Sequence, residues 1–183
     1  MAAATAAEMP QPPETGLEEC LFRHIRDGIG SLEGANAHGA WTSPAVAASD
    51  PDKVIAELKE SGLTGRGGAG FPTGVKWDAV RSESRGPKWI ICNADESEVG
   101  CFKDRVLMAH SPHAMLEGMT CAGLLTGAEV GIVYLRWEYP EILESLQVAI
   151  DEAEAAGMLG DDACGTGRPF RIVIRRGAGA YIC

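Results

Sequence analysis

VGIVYLRWEYPEILESLQVAIDEAEAAG, residues 130–157, decides the fold. Its opening VGIVYLR (130–136) is short and rich in β-branched residues, which reads as a strand. Pro140 then opens a helix whose Ile142, Leu143, Leu146, Ala149, Ile150 and Ala153 share one apolar side, and Gly157 stops it. The same grammar flanks this unit. KWIIC (88–92) reads as an earlier strand, and Ser111 and Pro112 follow as cap and first turn of a helix that runs through HAMLEGMTCAGLLT to Gly127. FRIVIRR (170–176) reads as a third strand. Strand, helix, strand, helix, strand predicts an α/β fold with a parallel sheet and flanking helices.

Right-handed crossovers bring the C-terminal ends of such strands to one edge of the sheet, where open α/β sheets bind ligands. Three loops leave that edge: CNADESEVG (92–100), RWEYP (136–140) and RRGAGAYIC (175–183). Chemistry is expected in the first and third.

Upstream, residues 1–16 offer little to bury and are expected to form a mobile arm. Residues 17–62 read as a helical N-terminal region. In it, LEECLFRHIRD (17–27) places Leu17, Cys20, Leu21, His24 and Ile25 on one stripe ending at Gly28, and a small-residue connector is expected through Ser49. Asp50 and Pro51 then open PDKVIAELKE, which Gly62 closes.

Composition narrows the class. With 183 residues, 45% hydrophobic and 23% charged, the chain has the makings of one ordinary globular domain. A net charge of −10 argues against a broad nucleic-acid-binding face. No apolar run approaches the roughly 20 residues that span a bilayer, so no direct membrane insertion is expected. The N-terminus carries no Lys or Arg before Arg23, unlike a signal or transit peptide. Six cysteines without a CxxC pair suggest a reducing, cytoplasmic setting.

The densest motif is GRGGAGFPTGVKW (65–77). Its glycines leave backbone N–H groups unshielded, so a flat ligand or a phosphate can approach the chain. Gly65, Gly67 and Gly70 fit GxGxxG literally, yet a helix and not a strand precedes them, so the ordinary dinucleotide fingerprint fails on context. A P-loop fails on spacing. Thr73 is expected to cap the helix carrying Lys76 and Trp77. The plain alternative is a flexible linker, which rarely embeds Phe71, Pro72, Lys76 and Trp77.

The second motif sets Asn93, Asp95, Glu96 and Glu98 directly after a strand, as acceptors for hydroxyl, ribose or amide donors; its rival is a solvated acidic loop. No His or Cys accompanies them at metal-ligand spacing, since Cys92 and Cys101 stand nine apart, and no metal ligand is assigned. The third, Arg176 to Tyr181, ends a strand in small residues and flanks them with an aromatic ring; a tight turn is its rival. His24, on its apolar stripe, reads as a core residue, and His113, at a helix start, shows no acid, base or nucleophile partner in the sequence; no histidine, His110 included, is assigned chemistry. Cys92 and Cys121 read as small core residues. The three motif loops, at Gly65, Asn93 and Gly177, are expected to converge on one cleft.

GRGGAGFPTGVKW, CNADESEVGCFKDR, the EGM at 117–119 and RRGAGAYIC, in this order and at these separations, resemble the NADH-binding flavoprotein subunit of respiratory complex I. Flavoprotein subunits of NAD-linked hydrogenases and formate dehydrogenases belong to the same family. The likeness runs from about Asp50 to Cys183. It implies an atypical Rossmann-like sheet with helices, incomplete at its C-terminal end, in which residues 63–183 form part of an FMN- and NADH-binding domain. NADH would stack on the flavin and pass it a hydride, and electrons would leave singly for iron–sulfur centres.

By this resemblance Gly65, Gly67, Lys76, Asn93 and Asp95 hold FMN, Phe71 stacks with NADH, Glu98 meets the nicotinamide side and Tyr181 belongs to the flavin wall. Arg66, Gly68, Ala69, Gly70, Glu96 and Gly179 complete the candidate cofactor-binding set. No side chain is assigned a catalytic role, because two flat rings held face to face need no nucleophile. The iron–sulfur cluster (4Fe-4S) is expected only in a C-terminal part beyond Cys183 or in partner subunits, including an iron–sulfur subunit. The chain departs from the family at Val99, where proline is usual. The resemblance also implies an N-terminal fragment, expected to be inactive in isolation, with the cytoplasmic face of a membrane complex as one setting for it. An alternative from another class is an incomplete scaffold that contacts a partner subunit without binding flavin.

Overall fold

The computed structural model describes Ile25, residues 29–179 and Tyr181. The expected arm at 1–16 and the helix at 17–27 lie outside the described residues, apart from Ile25, which is buried with Ile29 and Val106.

Three strands, β1 (Trp89–Ala94), β2 (Val130–Leu135) and β3 (Arg171–Arg176), form a parallel sheet in the order β1-β2-β3. The register is even: Trp89 lies opposite Val130, which lies opposite Arg171. Two helices connect them, α6 (Pro112–Thr126) and α7 (Pro140–Ala155). Ahead of these come α1 (Leu32–Ala37), α2 (Ser43–Ser49), α3 (Pro51–Glu60), α4 (Thr73–Ser82) and α5 (Lys103–His110).

Two right-handed crossovers stepping the same way place α6 and α7 on one face of the sheet. There Val133 and Leu135 of β2 are fully buried against Leu116, Met119, Ile142, Leu146 and Ile150. Phe170 seals this layer. Its ring lies where Gly123 and Gly131 lack a side chain; a Cβ on Gly123 would stand 2.2 Å from the ring. The opposite face is open, and Trp89 and Ile91 are 54% and 65% exposed.

Three details differ from the sequence expectations. The small-residue connector before Ser49 is largely helical. Alanine favours helix intrinsically, but runs such as SPAVAAS carry too little apolar contrast to show a period. The Ser31 hydroxyl caps α1 by accepting the Gly34 N–H at 3.2 Å, and Ala35 and Ala47 are buried. Second, a single residue separates α5 from α6, and that residue, Ser111, caps neither helix with its side chain and instead gives its N–H to Leu107 O at 2.8 Å. Third, Thr73 is the first helical residue of α4; Pro72 occupies the cap and no side chain bonds there. Asp50 does cap α3 as expected, accepting the Lys53 N–H at 3.1 Å.

His113, read without a partner, has two. It is fully buried, with Trp41 Nε1–H donating to its Nδ1 at 3.4 Å and its Nε2 at 3.0 Å from Glu152 Oε2. A donor at Nδ1 leaves the ring proton on Nε2, facing the carboxylate. The same Glu152 oxygen accepts the Leu32 N–H at 3.0 Å, so the group ties α1 to α6 and α7. Cys92 and Cys121 are only partly buried, and burial pushes their thiols up to about 11 and about 12, respectively.

No helix among the described residues is long and apolar enough to cross a membrane.

Candidate functional site

The glycine loop closes on itself before the strands are reached. Thr73 N–H donates to Leu63 O at 2.8 Å and Gly65 N–H to Phe71 O at 3.0 Å, so residues 65–71 form a short bight rooted on the first turn of α4. Gly70, at φ +63°, makes the bend that an L side chain would resist. The bight is carried by α4, which approaches α3 closely at Gly74; a Cβ there would come within 2.7 Å of the Lys59 nitrogen.

Strand β1 runs two residues beyond the expected KWIIC window and delivers Asn93 and Ala94 to the C-terminal edge. The chain turns immediately. Asn93 Oδ1 accepts the Asp95 N–H at 3.1 Å, and Ser97 Oγ–H donates to Asp95 Oδ1 at 3.0 Å. Glu98 reaches across to the segment after β3, where Tyr181 O–H donates to Glu98 Oε2 at 2.9 Å. That bond, together with the field of the carboxylate, holds the phenol above its ordinary pKa.

Between these walls lies a cavity of about 790 Å³. Of the residues expected from sequence, Gly65, Arg66, Gly67, Gly68, Ala69, Gly70, Phe71, Lys76, Asn93, Asp95, Glu96, Glu98 and Tyr181 line it. Gly179 and Gly177 do not, so among the described residues the third loop joins the convergence through Tyr181. Gly177 instead faces the Tyr134 ring, whose hydroxyl would stand 3.1 Å from an added Cβ, while Gly179, at φ +82°, bends the chain with nothing among the described residues packed against it. Ser97, Cys101, Lys103 and Asp104 also line the cavity and were not expected. For Lys103 and Asp104 the signal was available in FKDR (102–105), which opens a helix directly after the acidic loop.

Charge in the cavity is mixed. Arg66, Lys76 and Lys103 supply cations, and Asp95, Glu96, Glu98 and Asp104 carboxylates. Burial alone opposes the charge on Lys103, but Asp104 at 2.8 Å and Glu96 at 3.6 Å outweigh it and raise its pKa. Lys76 Nζ sits 5.9 Å from the centre of the exposed Phe71 ring, so the bight presents an aromatic face beside a cation. Among the described residues no group of three His, Cys, Asp or Glu side chains is arranged to hold a metal ion.

The size suits a bound cofactor, since ligand pockets run to about 300–1,000 Å³. The donor set suits a flat, phosphate-bearing one: unshielded backbone and Arg66 and Lys76 for the phosphate, Asn93 and Asp95 for polar ring edges or hydroxyls. A cavity outside the carboxyl end of a parallel strand, built from glycine-rich backbone and polar side chains, defines the class: an α/β nucleotide-binding domain. Within that class the chain belongs to the family of the Nuo51 FMN-binding domain, whose model matches residues 58–183.

Relatives agree. The chain is 47% identical over 155 residues to a subunit of the NADH-quinone oxidoreductase of Rhodobacter capsulatus, a match covering 84% of this chain and 36% of that protein. It is 44% identical over 156 residues to the mitochondrial NADH dehydrogenase [ubiquinone] flavoprotein 1 of Dictyostelium discoideum, covering 83% and 32%. It thus spans about a third of the length of these relatives. A solved structure of an NAD+-reducing [NiFe]-hydrogenase in the air-oxidized state superposes with a TM-score of 0.67 at 35% identity, covering 91% of this chain and 26% of the other. The H2-reduced state gives 0.65 at 40% identity, covering 75% and 23%.

Proposed function

We propose that residues 63–183 contribute the FMN- and NADH-binding site of an NADH-oxidising flavoprotein subunit, which passes electrons on to iron–sulfur centres of a multi-subunit complex on the cytoplasmic side. The observation that carries this is the convergence of the glycine bight, the end of β1 and Tyr181 on one cavity. Bound FMN would accept a hydride from NADH and release electrons one at a time. The chain's own part is geometric. Backbone N–H groups of the bight, with Arg66 and Lys76, bind phosphate; Asn93 and Asp95 orient the ring edge; Phe71 offers a stacking face; and Glu98, steadied by Tyr181, meets the nicotinamide side. Orientation of two rings face to face is worth several orders of magnitude in rate, which is ample work for a site without a nucleophile.

The test is a titration of the chain with FMN followed by flavin fluorescence, then anaerobic addition of NADH. Quenching with saturation is expected, and Lys76→Ala should weaken it about 10-fold or more, the worth of a hydrogen bond to a charged group. In a polypeptide extended to the length of its relatives, Glu98→Gln should slow bleaching of the flavin by NADH more than it weakens flavin retention. Equal loss of both would overturn the role given to Glu98. Failure of the unaltered chain to bind FMN would favour the scaffold that contacts partner subunits without flavin.

A further inference from the structure

Glu96 was expected among the cofactor ligands, yet its surroundings differ from those of its neighbours. It is 6% exposed, and its carboxylate faces inward. Oε1 accepts the Asp104 N–H at 3.0 Å and Oε2 the Arg105 N–H at 3.2 Å, both from the first turn of α5. Tyr139 O–H donates to Oε2 at 3.4 Å, and Lys103 Nζ stands 3.6 Å from Oε1. A carboxylate has about four acceptor positions. Three hydrogen bonds and an ion pair occupy them, leaving none for a ligand.

The supports behind it come from a loop with no residue in the cavity lining. Arg136 Nη1 donates to the Glu96 carbonyl, and two guanidinium groups stand near the Tyr139 ring, Arg105 at 5.1 Å and Arg136 at 5.6 Å from its centre. The α5 cap residue, Phe102, makes no capping bond with its side chain, so Glu96 does that work from eight residues upstream. Pinning position 96 to the start of α5 closes the stretch 97–102 into a fixed rim. Asp95 and Glu98, on either side of the pin, are thereby set on the cavity wall.

We infer that Glu96 is a positioning residue for the flavin site, a remote helix cap that fixes the rim carrying Asp95 and Glu98, with Tyr139 as its brace outside the cavity. This rests on the FMN reading above. A side chain that holds a ligand-binding residue in place without touching the ligand typically matters about 10-fold.

The test compares Glu96→Gln, Tyr139→Phe and the double variant by FMN titration and by amide hydrogen exchange. Glu96→Gln should raise the FMN Kd about 10-fold and Tyr139→Phe about threefold, with the double variant no weaker than Glu96→Gln alone, because both act through one network. The amides of Asp104 and Arg105 should lose protection in Glu96→Gln even without FMN. If Glu96→Gln loses FMN while Tyr139→Phe binds normally and both amides keep their protection, Glu96 is a direct ligand contact and the inference is overturned. If protection falls throughout the chain with the FMN Kd unchanged, the role is structural only and the inference is equally overturned. Should the unaltered chain fail to bind FMN, that failure belongs to the proposed function, and intact protection of the two amides in Glu96→Gln would still overturn the pin.

Discussion

The two faces of the sheet carry similar side chains and live in different worlds. On the covered face, Val133, Leu135 and Ile172 lie within a close-packed layer with α6, α7 and Phe170; on the open face, Trp89, Ile91 and Tyr134 are 40% to 65% exposed. Composition does not separate them. Topology does, because two successive crossovers of the same hand and direction can cover only one side. A parallel strand is ordinarily buried on both faces, and its near-continuous apolar sequence, as in KWIIC or VGIVYLR, gives no hint of which face is covered.

Substitutions on the two faces can break or sharpen this contrast. The largest effect is expected from Phe170→Ala, which removes a fully buried ring from between Gly123 and Gly131; a loss of about 3–5 kcal/mol should appear in urea unfolding. A loss below about 1 kcal/mol would mean that the layer can collapse onto the space, and the contrast would weaken. Next comes Gly123→Ala. Its new methyl meets Phe170 ring atoms, and overpacking of this kind costs about 1–3 kcal/mol. Combining it with Phe170→Ala should recover part of that cost, as expected of residues sharing one space. The smallest effect belongs to Ile91→Thr on the open face, within about 0.5 kcal/mol of the parent. A cost comparable to that at Phe170 would show that the open face is covered in solution.

The sequence made the sheet legible because its signals are local and strong: three short β-branched runs, two helices opened by proline and two glycine stops. All three strands and both crossover helices follow. Helices α1 and α2 were hidden for the opposite reason, since Ala-rich segments pack closely without an apolar period. The cavity was legible in its glycine bight and acidic loop, where residue types suit one chemistry and lie next to strand ends. Which carboxylate faces inward was not legible. Asp95, Glu96 and Glu98 look alike in a string, and only the approach of α5 and Tyr139 singles out Glu96. The loop RWEYP, read as silent, contributes nothing to the cavity lining yet braces it through Arg136 and Tyr139.

The packing of Phe170 also bears on the order of events during synthesis. Residues 65–104, which supply most of the cavity, leave the ribosome long before the ring that locks the covered layer behind them. Parallel pairing between distant stretches is slow, because loop closure must precede any gain from contact. The glycine bight and the acidic loop therefore wait, translated but unsupported, until residue 170 arrives. A cofactor that needs the whole cavity is thus expected to bind only after Tyr181, the last described residue of its lining, has been made.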